Sequence, residues 1–115
     1  MHQEPDSASY SLATLESRRE AQGRPYLEFL RVPALSAGLY VLPAGGVDGQ
    51  SPHGEDEVYI VMDGAARFTA GDDDRAVGPG DVLYVRKGVE HRFHSIERDL
   101  RVLVVFAPAE GTGRG

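Results

Sequence analysis

Gly49-Gln50-Ser51-Pro52-His53-Gly54-Glu55-Asp56-Glu57-Val58-Tyr59 sets one histidine and three acids directly ahead of an apolar run. Side chains on a strand alternate between two faces, so Ser51, His53, Glu57 and Tyr59 share one parity. A second stretch answers it further along the chain, Gly88-Val89-Glu90-His91-Arg92-Phe93-His94-Ser95. There His91, Phe93 and Ser95 share a face opposite Arg92 and His94. If Phe93 points inward, so does His91, and His94 points out. Inward groups at the starts of different strands can converge at the mouth of a small barrel and hold a divalent ion. Two neutral imidazoles and a carboxylate suit Fe(II), and equally Zn, Mn or Ni. His53, Glu57 and His91 are therefore the candidate ligands. His2 lies in the N-terminal tail and receives no role.

The surrounding texture is that of a barrel. Leu12 and Leu15 within Ser11–Gln22 predict a short amphipathic helix, stopped by Gly23 and Pro25. Beyond it come short β-rich segments punctuated by Gly, Pro and Asp, which signal an all-β sandwich or barrel. Strands are expected near Tyr26–Val32, Ala37–Leu42, Glu57–Met62, Ala65–Ala70, Val82–Arg86, His91–Ser95 and Leu100–Ala107. Asp63-Gly64 reads as a tight hairpin turn, because such turns need positive φ at their central residues. Gly71-Asp72-Asp73-Asp74 reads as a second, solvated turn rather than a calcium loop, and Pro79-Gly80 as a third. The runs Val58–Met62 and Val102–Phe106 are apolar on both faces, as strands are when one face lines an interior and the other meets another sheet or a neighbouring subunit. A homodimer is the expectation.

The bulk properties narrow the function. A chain of 115 residues makes one domain, expected over residues 11–108 with flexible ends at 1–10 and 109–115. The absence of cysteine removes disulfides, thiolate metal sites and cysteine nucleophiles. Twelve basic against 18 acidic residues give a net charge of −6, which repels phosphate backbones, so nucleic acid is not an expected partner. The N-terminus lacks a basic segment followed by an apolar core, and no apolar run approaches the roughly 20 residues that span a bilayer. The reading is a cytoplasmic protein with no membrane partner.

Taken together these residues resemble the cupin superfamily, whose two motifs bracket a β-barrel. The first motif runs Gly, five residues, His, one, His, three or four, Glu, six, Gly. It appears here as Gly45, Ser51, His53, Glu57 and Gly64, with every spacing kept and Ser51 standing where the first histidine is usual. The second, Gly, five, Pro, one, Gly, two, His, three, Asn, appears as Gly80, Arg86, Gly88, His91 and Ser95. The resemblance implies a double-stranded β-helix, or jelly roll, preceded here by the short helix. It implies that His53, Glu57 and His91 match three of the four usual metal ligands. At the fourth position water fills the gap beside Ser51, the neighbouring amide of Gln50 swings in, or the site stays empty. Tyr40, Tyr59, Tyr84 and Phe93, with Ser51, are the expected pocket wall around a small-molecule ligand, and Arg67 or Arg86 the expected partner of a substrate carboxylate. Because one scaffold hosts many chemistries, two classes remain open: a metal-dependent enzyme of dioxygenase or isomerase type, or a non-catalytic or metal-free binding module.

Overall fold

The architecture rests on two unusually long strands. The computed structural model describes residues 4–49 and 53–112. One helix, α1 (Leu12–Gln22), precedes six strands: β1 (Tyr26–Val32), β2 (Leu35–Leu42), β3 (Asp56–Ala70), β4 (Asp73–Val77), β5 (Val82–Val85) and β6 (His91–Ala107). All pairings are antiparallel, in the order β1-β2-β6-β3-β4 with β5 also on β3.

The helix forms where the sequence predicts it. The Ser11 hydroxyl accepts from the Thr14 N–H, and Gly23 closes the far end at φ 80° with its N–H on the Arg19 carbonyl. Leu15 is its one fully buried residue, packed with Leu27 and Leu39 on the outer side of the β1–β2 sheet.

β3 and β6 run beside each other as a ribbon from Asp56↔Ala107 to Ala70↔His91. The register slips three times between Val61 and Arg67, and Ser95 on β6 takes a positive φ of 50°. These bulges bend the ribbon, and the bend folds its two ends towards each other. The inward residues of both halves then form one core: Tyr59, Val61, Phe68, Phe93, Ile96, Leu100, Val102, Val104 and Phe106.

This corrects the expected turn at Asp63-Gly64, where the structure has an unbroken strand. Gly64 does take the positive φ, 103°, that the dipeptide signalled, but spends it on a bulge. The four strands expected at 57–62, 65–70, 91–95 and 100–107 are accordingly two. β4 was not expected, because Asp73, Asp74 and Arg75 have poor strand propensity. Cross-strand partners hold it: Asp74 meets Arg67 at 3.4 Å and His94 at 2.9 Å. The second turn shrinks to Gly71-Asp72, while Pro79-Gly80 turns as expected.

On the outer face Val82 and Tyr84 are 64% and 63% exposed. They lie opposite Ile60 and Val58 in register. Near its C-terminal end the chain keeps tertiary contacts at Ala109 and Glu110. Ala109 is buried, and the Glu110 N–H donates to the Ser36 hydroxyl. Tyr10, in the other tail, stacks edge-on against Phe29 at 4.9 Å. No helix among the described residues is long and apolar enough to cross a membrane.

A Cβ on Gly64 would stand 2.5 Å from the Asp99 carbonyl oxygen and 2.7 Å from the Leu100 Cα. Gly80 has a similar φ of 90° but open space around it. Gly80→Ala therefore meets only backbone strain, about 1 kcal/mol, whereas Gly64→Ala adds a backbone collision and loses about 2–4 kcal/mol. Urea unfolding of the two variants checks this, and equal losses would show that the approach of β6 to Gly64 is not tight.

Candidate metal centre

Backbone hydrogen bonds bring the two motif stretches together. The Gly88 N–H donates to the His53 carbonyl at 2.8 Å, and the Lys87 N–H donates to the Asp56 carboxylate at 2.9 Å. Both staple the entrance of β3 to the turn before β6. On the other side, the carboxylate of buried Asp48 accepts from the Tyr40 hydroxyl at 2.7 Å and from the Phe93 N–H at 2.9 Å, anchoring the loop that leads into the first motif. Burial and this contact hold the Tyr40 phenol well above its usual range, so it stays a donor.

His53, Glu57 and His91 each offer a ligand atom, and these atoms all lie within 4.8 Å of one another. His91 is oriented by its backbone. Its Nδ1 lies 2.8 Å from the Val89 carbonyl. A carbonyl can only accept, so the proton sits on Nδ1 and Nε2 faces the interior. That nitrogen is 2.7 Å from Glu57 Oε1 and 3.1 Å from the Tyr59 hydroxyl. Burial alone would push the His91 pKa down, but the Glu57 contact, the Val89 carbonyl and the Glu57 charge together raise it. Without a cation, the Glu57–His91 pair thus shares a proton. His53 packs edge-on against Phe106 at 4.9 Å and stands 5.9 Å, ring to ring, from His91.

These residues fit a divalent ion. Bonds of about 2.0–2.2 Å place ligands roughly 3–4 Å apart, within reach of small side-chain movements here. The second oxygen of Glu57, Oε2, is buried with no hydrogen-bond partner among the described residues. A buried carboxylate oxygen without a donor is costly unless a cation meets it. The donor set, two imidazoles and one carboxylate, is a borderline-metal set.

A cavity of about 150 Å³ adjoins the cluster, lined by Tyr26, Tyr40, His53, Val104, Phe106 and Glu110. It opens into a groove of about 770 Å³ that shares Tyr26, Tyr40 and Glu110 and adds Arg24 and Arg31. Tyr26 can lie there because Gly38 beneath it has no side chain: a Cβ would sit within the Tyr26 ring. The Tyr26 hydroxyl is buried without a hydrogen-bond partner among the described residues. Burial, then Glu110, Glu28 and Glu57, push its pKa far up, so it too remains a donor. Glu110 stands 3.7 Å from His53 Nδ1. Burial raises its pKa against the opposing pull of His53.

Of the expected pocket residues, Tyr40 lines the cavity, and Tyr59 and Phe93 pack in the core beneath it. Tyr84 does not belong to the wall. It precedes buried Val85 on β5 and so faces outward. Arg67 is also outside, paired with Asp74, and Arg86 is exposed at the end of β5. Gln50 and Ser51 lie outside the described residues. Glu55 is 1% exposed. Asp56 is half-buried and holds the Lys87 N–H. Sequence reasoning missed Tyr26, Asp48 and Glu110. Only Tyr26 carried a signal, being an aromatic at the head of a predicted strand.

A bent antiparallel barrel with a His/Glu/His cluster at its mouth defines a class, and the comparisons agree with it. Residues 38–106 match the cupin domain family. An uncharacterised protein of Streptomyces coelicolor is 50% identical over 102 residues, spanning 89% of this chain and 97% of that protein. A Klebsiella pneumoniae protein with a double-stranded β-helix domain superposes with a TM-score of 0.75 at 18% identity, covering 95% of both chains. KdgF from a Halomonas species superposes with a TM-score of 0.66 at 24% identity, over 72% of this chain and 76% of that one. The chain belongs to the cupin family.

Two outcomes check the geometry. Asp48→Ala strands two buried donors and lowers stability by about 2–4 kcal/mol in urea unfolding, whereas Asp48→Asn keeps an acceptor and loses less than half of that. In chelator-treated protein the proton shared by Glu57 and His91 favours the fold. With a raised His91 pKa, that stabilisation is fully present below about pH 6.5 and disappears as pH rises through the folded-state value. The stability gap between the native chain and His91→Gln, both stripped of metal, therefore narrows as pH rises above about 6.5 through the raised folded-state value.

Proposed function

We propose that this cupin binds a divalent ion, Fe, Zn, Mn or Ni, through His53, Glu57 and His91, and acts as a metal-dependent enzyme on a small molecule seated in the adjoining cavity. The observation that carries this reading is the convergence of three ligand atoms within 4.8 Å beside a buried, unpartnered Glu57 Oε2. The crowding of Glu55, Glu57 and Glu110 adds negative potential that favours a cation.

When bound, the ion supplies Lewis-acid polarisation of a substrate oxygen or, as iron, oxygen activation. The chain does the rest. Phe106 and Val104 give the cavity an apolar floor that excludes water, and the Tyr26 hydroxyl offers a hydrogen bond to a ligand oxygen. Glu110, its carboxyl biased towards the protonated form and adjacent to His53, can hold or deliver a proton at the cavity rim. The groove with Arg24 and Arg31 is the way in.

A second reading is favoured by one contact. The 2.7 Å approach of His91 Nε2 to Glu57 Oε1 is itself a proton-transfer pair and would serve a metal-free reaction.

Metal analysis of protein purified without nickel affinity or chelator checks the main reading. Near-stoichiometric metal is expected, abolished in His91→Ala and retained in His94→Ala, since His94 faces outward onto Asp74. Failure of the native chain to hold any of the four metals on titration overturns it, and turnover that survives chelation favours the metal-free reaction.

A further inference from the structure

The strand register aligns two apolar rows across the outer face of the sheet. Val82 on β5 lies beside Ile60 on β3, Ile60 beside Leu103 on β6, and Leu103 beside Leu39 on β2. Tyr84, Val58, Val105 and Ala37 make the second row in the same way. Alternation sets these side chains on one face, since their neighbours Tyr59, Leu83, Val85, Val102 and Val104 point into the core. Neither row contains a charge.

The helix covers one end of the rows and leaves the other bare. Leu15 of α1 packs with Leu27 and Leu39, and Leu103 joins that cluster. Beyond Leu103 the rows come out into solvent: Val105, Val58 and Ile60 are part-exposed, and Val82 and Tyr84 are 64% and 63% exposed. Met62, two residues past Ile60 on the same face, is 38% exposed. A sheet that is apolar on both faces buries each against a further layer, and α1 supplies that layer on the β1–β2 side.

We propose that the layer over β5, β3 and β6 is the same face of a second copy of this chain, in a two-fold dimer centred on Val82 and Tyr84. The area fits such a pair. Val82, Tyr84 and Met62 alone present roughly 300 Å² of surface, and Val58, Ile60 and Val105 take the patch to about 400 Å². Two such patches bury about 800 Å², which is the apolar share, some 60%, of an interface of about 1,300 Å², and stable pairs begin near about 1,200 Å². An uncharged face is also complementary to itself, so a two-fold axis can cross it without bringing like charges together in a chain of net charge −6. The exposed charges flanking β5, Asp81 and Arg86, have opposite signs, which makes the rim mixed rather than repulsive. The inference is independent of the metal-binding reading, because Val82 and Tyr84 point away from the barrel interior.

Sedimentation velocity of the full-length chain over a range of concentrations tests it, with a dimer predominating above about 10 µM. Val82→Lys and Tyr84→Lys each put a charge in the middle of the face and raise the dissociation constant about ten- to a hundredfold. Val47→Lys, at a side chain 83% exposed outside the face, leaves it unchanged. Cross-linking needs no added charge: the chain has no cysteine, so Val82→Cys carries a single thiol through which a short bismaleimide joins two copies, whereas Val47→Cys stays unlinked. A native chain that sediments as a monomer up to about 200 µM overturns the inference and leaves the face to a different partner. A dimer undiminished in both lysine variants, or linked through Val47→Cys and not through Val82→Cys, also overturns it, since the copies then meet elsewhere. Should a lysine variant unfold in a urea titration, the cross-linking result decides without it.

Discussion

At Gly64 β3 lies against Asp99 and Leu100 of β6 with no room for a side chain. The site depends on it. In register, Glu57 sits near one end of the β3–β6 ribbon and His91 at the other, since Glu57 opposes Phe106 while His91 opposes Ala70. Along a flat ribbon they would be some 40 Å apart at about 3.3 Å per residue. The bulges between Val61 and Arg67 and the left-handed Ser95 fold the ribbon until Glu57 Oε1 and His91 Nε2 touch. The cluster of His53, Glu57 and His91 is thus a product of the bend.

Around that bend the protein places acid deliberately close to aromatic surface. Glu55 and Glu57 are each 1% exposed, and Asp48 is nearly as buried. Asp48 is held by Tyr40 and the Phe93 N–H, and Glu57 meets His91. A buried carboxylate is costly unless paired or met by a cation, so the mouth pays in stability for a strong local field. Burial, then Glu110, Glu28 and Glu57, keep the Tyr26 phenol protonated, which leaves a hydroxyl donor facing the cavity.

Much of this was legible in the sequence because it depends on local rules. Alternation placed His91 and Phe93 inside and His94 outside, and the motif spacing from Gly45 to Ser95 indicated the cupin barrel. The rest depends on which strand runs beside which. Asp63-Gly64 announces a positive φ but does not say whether the chain reverses or bulges, and the long antiparallel course of β6 beside β3 decides for the bulge. Tyr84 was misplaced because β5 carries apolar residues on both faces, so alternation alone could not say which faced in. Asp48 and Glu110 gave no signal: an acid in a Gly-rich loop and one in a polar tail look solvated until tertiary contacts with Phe93, Ser36 and His53 are known. For Gln50 and Ser51 the sequence reading stands as a proposal.

The central claim is that the folded ribbon makes a metal shell of His53, Glu57 and His91. X-ray absorption at the K-edge of the metal retained by the native protein after exhaustive dialysis tests it most directly. The account predicts the multiple-scattering signature of two imidazoles, with nitrogen and oxygen donors at about 2.0–2.2 Å. An all-oxygen shell without imidazole scattering would contradict it.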